Sequence, residues 1–222
     1  MEPFPFWRRS AFPMVKSRTR KDLKRRLPYK KPNKIELIVC EGSSTEPSYL
    51  NGLIRQLQLR AVKIDVISSP DSKPVAVIER ALAKKEEMKK LAIPYEKVWC
   101  VVDVEIPPHS TLDEAWEKAK EIDRLELILT NPCIEYWFLL HFKQHTEPFA
   151  NTEDVMAELK AVHPSYKKSR IDFDILYPHT ATAIANSRDV LQEKRIGDDL
   201  RNHNPSTHMH KIVEHLQNVG RN

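Results

Sequence analysis

Acidic residues follow two of the most apolar runs of the chain, at the points where buried strands would end. Glu41 and Gly42 come directly after residues 35–40, and Asp103-Val104-Glu105 comes directly after residues 98–102. The carboxyl ends of parallel strands meet at one edge of a sheet, where such folds bind their ligands. Converging carboxylates repel one another unless a cation intervenes, and clustered oxygen ligands suit Mg²⁺ or Mn²⁺. We therefore predict a divalent-metal site built from Glu41, Asp103 and Glu105. The alternative is that these are the solvated acids of ordinary strand ends.

The spacing of these residues predicts the geometry of the site. One residue separates Asp103 from Glu105, so both side chains would point to the same side if the strand continued through them. Gly42 allows the backbone to turn sharply after Glu41 and to approach a ligand closely. In the chemistry that this arrangement favours, Asp103 and Glu105 hold metal, while Glu41 holds metal or activates a water molecule.

The elements that must position these residues alternate regularly along the chain. Short apolar runs predict strands at residues 35–40, 62–67, 98–102 and 125–129. Amphipathic or apolar segments predict a helix that Thr45 opens as its cap, and helices at residues 72–91, 111–122 and 133–142. Repeated strand–helix units predict an α/β core over residues 35–145, with a parallel sheet and helices on both faces. Residues 146–222 are predicted to form a helical extension packed on this core, with helices at 152–162, 180–194 and 205–219.

Other polar residues near the predicted sheet edge have two interpretations each. Glu135 and Asn131 flank the start of the fourth helix, where Glu135 either joins the site or forms a cap or buried pair, and Asn131 either positions substrate or caps the helix. His141 lies on another face of that helix and is either a core residue or part of the site. The Tyr166-Lys167-Lys168 segment either binds phosphate or carries solvated loop charges. For Glu46, in the first turn of a helix, the helix dipole is a sufficient explanation.

Composition excludes several classes of protein. The 222 residues include only 4 Gly against 16 Pro, which excludes glycine-rich phosphate-binding loops. No apolar run reaches the 18 or so residues of a membrane span, and the N-terminus lacks the apolar core of a signal peptide. The 3 cysteines have no metal-ligand spacing and lie in apolar segments, so we predict buried thiols in a reducing compartment. These features predict a cytoplasmic protein that does not associate with a membrane.

The positive charge is concentrated at the N-terminus. Residues 1–34 carry twelve Lys or Arg against Glu2 and Asp22, so that residues 35–222 are net acidic. This arm has no helical or strand period, and we predict that it is disordered and binds nucleic-acid phosphates. A solubilising tail, or a tail that docks on an acidic protein, is the alternative. The predicted phosphate-binding residues are Arg18, Arg20, Lys21, Lys24, Arg25, Arg26, Lys30 and Lys31.

Three motifs in this order resemble the RloB family: residues 41–49 (EGSSTEPSY), 102–105 (VDVE) and 131–142 (NPCIEYWFLLHF). The basic arm and the Asn204-Pro205-Ser206-Thr207 segment fit the same family. The resemblance implies a Toprim-like metal-binding fold, related to that of primases, topoisomerases and some nucleases. It further implies that Glu41 is a general acid/base or metal ligand and that Asp103 is the first acid of a DxD motif. The second acid is Glu105 here instead of Asp, and because its side chain is one methylene longer, either the metal must shift or the helix must adjust.

The leading functional hypothesis is a Mg²⁺- or Mn²⁺-dependent nuclease of a prokaryotic antiviral defence system. The family resemblance also implies an ATPase partner, because such genes often lie beside one. Two other functions stay open: a catalytically inactive nucleic-acid-binding or scaffold subunit of a defence complex, and a nucleotidyl- or phosphoryl-transfer enzyme that uses the same acids. The sequence is compatible with a homo-oligomer.

Overall fold

A five-stranded sheet forms the centre of the protein. The computed structural model describes residues 34–59, 62–168 and 170–221, which belong to one compact unit; the predicted basic arm, with its phosphate-binding residues, lies outside the described residues apart from Lys34. The strands are β1 (Lys34–Cys40), β2 (Val62–Ser68), β3 (Lys97–Asp103), β4 (Leu125–Asn131) and β5 (Ser206–Thr207). Their order in the sheet is β2-β1-β3-β4-β5. The first four strands are parallel and β5 is antiparallel to β4.

Helices connect the parallel strands and cover both faces of the sheet. The helices of the strand–helix repeats are α1 (Thr45–Leu57), α2 (Pro74–Lys90), α3 (Leu112–Lys120) and α4 (Ile134–Leu140). The C-terminal part adds α5 (Thr152–Val162), α6 (Phe173–Leu176), a 3₁₀ turn (Tyr177–His179), α7 (Thr180–Glu193) and α8 (Met209–Arg221). The predicted α/β class, with flanking helices and a largely helical C-terminal part, is confirmed.

Alternate residues of the strands build two separate cores. Ile38 and Cys40 of β1 face the helices α1, α4, α5, α7 and α8, whereas Leu37 and Val39 face α2 and α3. The same alternation in β3 places Trp99 in the first core and Cys100 in the second. Because the central strands are buried on both faces, they read as continuous apolar runs in the sequence. This burial fixes their register and therefore fixes where their carboxyl ends lie.

The end of the chain differs from the predicted helix at residues 205–219. Ser206 and Thr207 form the strand β5, whose Thr207 Oγ1 lies 2.9 Å from Thr130 Oγ1 of β4. The helix starts only at Met209, whose N–H donates to Thr207 Oγ1. The prediction that the helix begins at residue 205 is therefore wrong, because Ser206 and Thr207 add an antiparallel edge to the sheet.

The three cysteines and the helices of the protein agree with the predicted buried thiols and with the absence of a membrane-spanning run in the sequence. Cys40, Cys100 and Cys133 are free and buried. Within the residues that the structure describes, no helix combines the length and apolar character needed to cross a bilayer.

Candidate metal centre

The carboxyl ends of β1 and β3 place Glu41 and Asp103 side by side. The Asp103 N–H donates a hydrogen bond of 3.1 Å to Glu41 Oε2, while the Glu41 N–H donates to Val101 O of the same strand. Glu41 is only 8% exposed. The parallel pairing of β1 with β3 therefore orients the Glu41 carboxylate against the backbone that carries Asp103.

Glu105 leaves the strand in a left-handed backbone conformation. The strand β3 ends at Asp103, and Glu105 has φ of 65°. Its N–H donates to Pro132 O at 2.8 Å, which fixes the turn after β3 onto the segment after β4. The two-residue periodicity of a strand does not continue through this turn, so the sequence argument that relied on it for Asp103 and Glu105 does not apply. This conformation is uncommon for a residue with a Cβ.

The turn after Glu105 adds a histidine to the site. Nε2 of His109 lies 3.0 Å from Glu41 Oε1 and 3.4 Å from Glu105 Oε2. The ligand atoms of Glu41, Glu105 and His109 all lie within 4.8 Å of one another, and Asp103 is not a member of this group. Two of the three predicted metal ligands are thus brought together with a residue that the sequence reasoning missed. The sequence feature that could have identified His109 is its position four residues after Glu105.

Glu46 is a second residue that the sequence reasoning missed. It is only 5% exposed, and its Oε1 accepts a hydrogen bond of 3.1 Å from the Gly42 N–H. A Cβ at Gly42 would lie 2.7 Å from that Oε1, so the glycine makes room for a neighbouring carboxylate. The helix-dipole explanation for Glu46 is therefore incomplete. The sequence feature that could have identified Glu46 is its position about one helical turn after the Glu41-Gly42 pair.

Burial and mutual repulsion raise the proton affinity of these acids. Burial raises the pKa of Glu41 to about 8, against the lowering effect of the Asp103 N–H, and Glu105 and Glu46 raise it further. Burial likewise raises the pKa of Asp103 well above its ordinary value, and the carboxylates of Glu46 and Glu135 add to this effect. Burial also raises the pKa of Glu46. Such shifts are typical of functional sites, although structural clusters also produce them.

Glu135 and Lys168 also lie near Asp103. Glu135 is 1% exposed, and its Oε1 accepts a hydrogen bond of 3.1 Å from the Tyr166 hydroxyl. Lys168 Nζ lies 4.0 Å from the same oxygen, and Glu135 is the main cause of a raised pKa for this exposed lysine. The hydroxyl of Thr45 donates to Lys168 O at 2.8 Å. Thr45 therefore holds the lysine loop to the start of α1 and does not cap that helix.

Two adjoining grooves meet over these acids. One, of about 420 Å³, is lined by residues 41–46, Ser72 and Ile134, and the other, of about 540 Å³, by Glu135, Thr152, Lys160 and their neighbours. Asp103, Glu105 and Lys168 line both. The protein thus has a continuous depression across the carboxyl edge of its sheet, with the acids at its centre.

Two predicted site residues serve the scaffold. The side-chain amide of Asn131 donates to Leu200 O at 2.9 Å and lines neither groove. His141 is fully buried, and its Nδ1 lies 3.0 Å from Trp137 O. Burial lowers the pKa of His141 to about 4, so that this imidazole is a neutral core residue.

The acidic groove at the carboxyl edge of a largely parallel sheet defines an α/β protein with a candidate cation site. The family model of RloB-like proteins matches residues 36–216. The chain therefore belongs to the RloB-like family, as its motifs predicted. No curated protein and no solved structure matches the chain significantly.

Proposed function

We propose that this protein is a divalent-metal-dependent phosphodiesterase that cleaves nucleic acid. The observation that carries the proposal is the convergence of Glu41, Glu105 and His109, with ligand atoms within 4.8 Å of one another, beside Asp103, whose Oδ1 is shielded from solvent. Acids at this edge of an open α/β sheet lie where ligands bind in such folds. The Toprim-like character implied by the family motifs supports the same conclusion.

The chemistry of the donor set fits a divalent cation. Glu41, Glu46 and Glu135 are each less than one-tenth exposed, and Lys168 reaches only Glu135 among the ion pairs of the described residues. The Oδ1 atom of Asp103 is shielded from solvent and has no hydrogen-bond partner among the described residues, although Asp103 as a whole is partly exposed. A buried oxygen without a partner is destabilising unless water or an ion satisfies it.

Each residue of the groove has a separate task in this proposal. Glu41 and Glu105 hold the ion, which, when bound, supplies electrophilic stabilisation of the charge that develops on the phosphate oxygens. Asp103 orients a water molecule and accepts its proton, for which a raised pKa is suitable. Lys168, whose side chain is largely exposed at the junction of the two grooves, binds a substrate phosphate.

The proposed substrate and biological setting depend on the sequence. The basic arm would bind the phosphate backbone, which makes affinity strongly dependent on salt concentration. The family resemblance supports a role in prokaryotic antiviral defence, in the cytoplasm, together with an ATPase partner.

A cleavage assay tests the proposal. Labelled single- and double-stranded DNA and RNA would be incubated with the protein and Mg²⁺, Mn²⁺ or chelator. We expect cleavage that requires metal and falls by a factor of about 100 or more in Asp103→Asn. Glu117→Gln, on the exposed face of α3, is the matched control and should cleave like the wild type. Nucleic-acid binding without cleavage under all conditions would refute the proposal and favour a catalytically inactive binding subunit.

A further inference from the structure

His109 lies between two carboxylates that come from different strand ends. Its Nε2 is 3.0 Å from Glu41 Oε1, after β1, and 3.4 Å from Glu105 Oε2, after β3. These are distances at which a protonated imidazole would form an ion pair. They are also distances at which a nitrogen and two oxygens can share one metal ion.

The turn that carries His109 is fixed by the backbone. The His109 N–H donates to Val104 O at 3.1 Å, and its carbonyl accepts the Leu112 N–H at 3.1 Å. The Glu105 N–H bonds Pro132 O at the other end of the turn. The imidazole is therefore attached to a closed turn and is not at the end of a mobile loop, so its position between the carboxylates is a property of the fold.

Within the part of the chain that the structure describes, Nε2 of His109 has no hydrogen-bond partner despite its acidic neighbours. Nε2 is shielded from solvent and lies close to Glu41 Oε1, but the direction of a ring N–H does not fit a hydrogen bond to either carboxylate. A directed hydrogen bond would strengthen a charged pair, and this pair lacks one. A metal ligand instead needs a lone pair that points at the ion, and the lone pair of Nε2, which has the direction of its N–H, points at neither carboxylate oxygen. Among the described residues, Oδ1 of Asp103 also has no hydrogen-bond partner at this sheet edge.

We propose that His109 is a nitrogen ligand of the divalent ion and makes the site select a first-row transition ion over Mg²⁺. Mg²⁺ prefers oxygen ligands and retains several of its waters, whereas imidazole binds transition ions more strongly. Two carboxylates alone suit Mg²⁺ as well as Mn²⁺. The inference rests on the proposed function only in placing a cation at this edge of the sheet.

Metal binding to the full chain tests the proposal without recourse to activity. Mn²⁺ and Mg²⁺ affinities would be measured by titration calorimetry for the wild type, His109→Gln and the control His203→Gln, which replaces an exposed histidine that lines neither groove. We expect His109→Gln to weaken Mn²⁺ binding by a factor of about ten to a hundred and Mg²⁺ binding by less than about threefold. Pulsed electron paramagnetic resonance of the Mn²⁺ complex should show coupling to a ¹⁴N nucleus, which is absent in His109→Gln.

The outcomes separate this proposal from the proposed function. Equal Mn²⁺ affinity in wild type and His109→Gln, with no ¹⁴N coupling, would show that His109 forms only an ion pair and would overturn the inference while metal-dependent cleavage could still stand. Failure of the wild type to bind either ion at millimolar concentration would overturn both. Circular dichroism would show that His109→Gln is folded, and Glu105→Gln, a second ligand variant, should also lose Mn²⁺.

Discussion

Replacing Glu41 by Gln should stabilise the metal-free protein, and more so as the pH rises. Burial raises the pKa of Glu41 from 4.5 to about 8 in the folded state. Between these values the folded protein retains a proton that the unfolded chain has lost, so that the free energy of unfolding falls as the pH rises. Each pH unit in this window removes about 1.4 kcal/mol. At pH 7 the total is about 3 kcal/mol, and it disappears below about pH 4.5.

The assay is denaturant unfolding of wild type and Glu41→Gln in chelator at several pH values between 4 and 8. Gln retains an oxygen that can accept the Asp103 N–H, so the exchange removes the charge and keeps the hydrogen bond. A difference of about 3 kcal/mol corresponds to roughly 6–12 °C in Tm for a domain of this size. Glu117→Gln, on the exposed surface of α3, should show no such trend. If the difference in unfolding free energy between Glu41→Gln and wild type is the same at pH 4 and pH 7, the burial of Glu41 is sufficiently compensated and this reasoning is refuted.

Three further perturbations test other parts of the fold. In chelator, the free energy of unfolding of Glu105→Gly should exceed that of Glu105→Ala by about 1 kcal/mol, because φ of 65° strains a residue with a Cβ. Equal free energies would contradict this. Gly42→Ala should lower the free energy of unfolding by about 1–3 kcal/mol, because its Cβ clashes with the Glu46 carboxylate. In a double-mutant cycle, Glu46→Ala should restore most of that loss. Strict additivity of the two substitutions would show that the two residues do not interact. Burial lowers the pKa of His208 and His210 to about 4. The free energy of unfolding should therefore fall as the pH drops from about 6.5 towards 4, by up to about 3 kcal/mol for each histidine. Over that range His210→Gln should lose less stability than the wild type.

The order of strands and helices could be predicted because the central strands are buried on both faces. Such strands appear in the sequence as continuous apolar runs, and the connecting helices have their own amphipathic period. The strand β5 could not be predicted in this way. Ser206 and Thr207 are polar and too few to show a period, and the preceding Asn204-Pro205 resembles the start of a helix. Their pairing with β4 depends on tertiary structure alone.

The candidate site could be predicted in part, for a similar reason. The position of Glu41 and Asp103 at one sheet edge followed from the topology. The direction of Glu105 did not, because its left-handed φ leaves no mark in the residue types. His109 was missed because residues 106–108 contain two prolines and no helical period, so that its return towards Glu105 depends on the backbone bonds of the turn.

The burial of carboxylates at the sheet edge opposes the stability of the fold, and this favours a functional role for them. If the carboxylates were ordinary solvated acids of strand ends, they would be exposed and their pKa values would be unperturbed. Instead Glu41, Glu46 and Glu135 are buried, whereas Glu105 is half exposed, and the pKa values of Glu41 and Glu46 are raised. A carboxylate can accept several hydrogen bonds, yet no group of the described residues donates one to Oδ1 of Asp103. Folding without a cation therefore works against these groups. Local arrangements that oppose stability in this way are expected where a protein binds or reacts, and a cation at this edge of the sheet would relieve the repulsion among them.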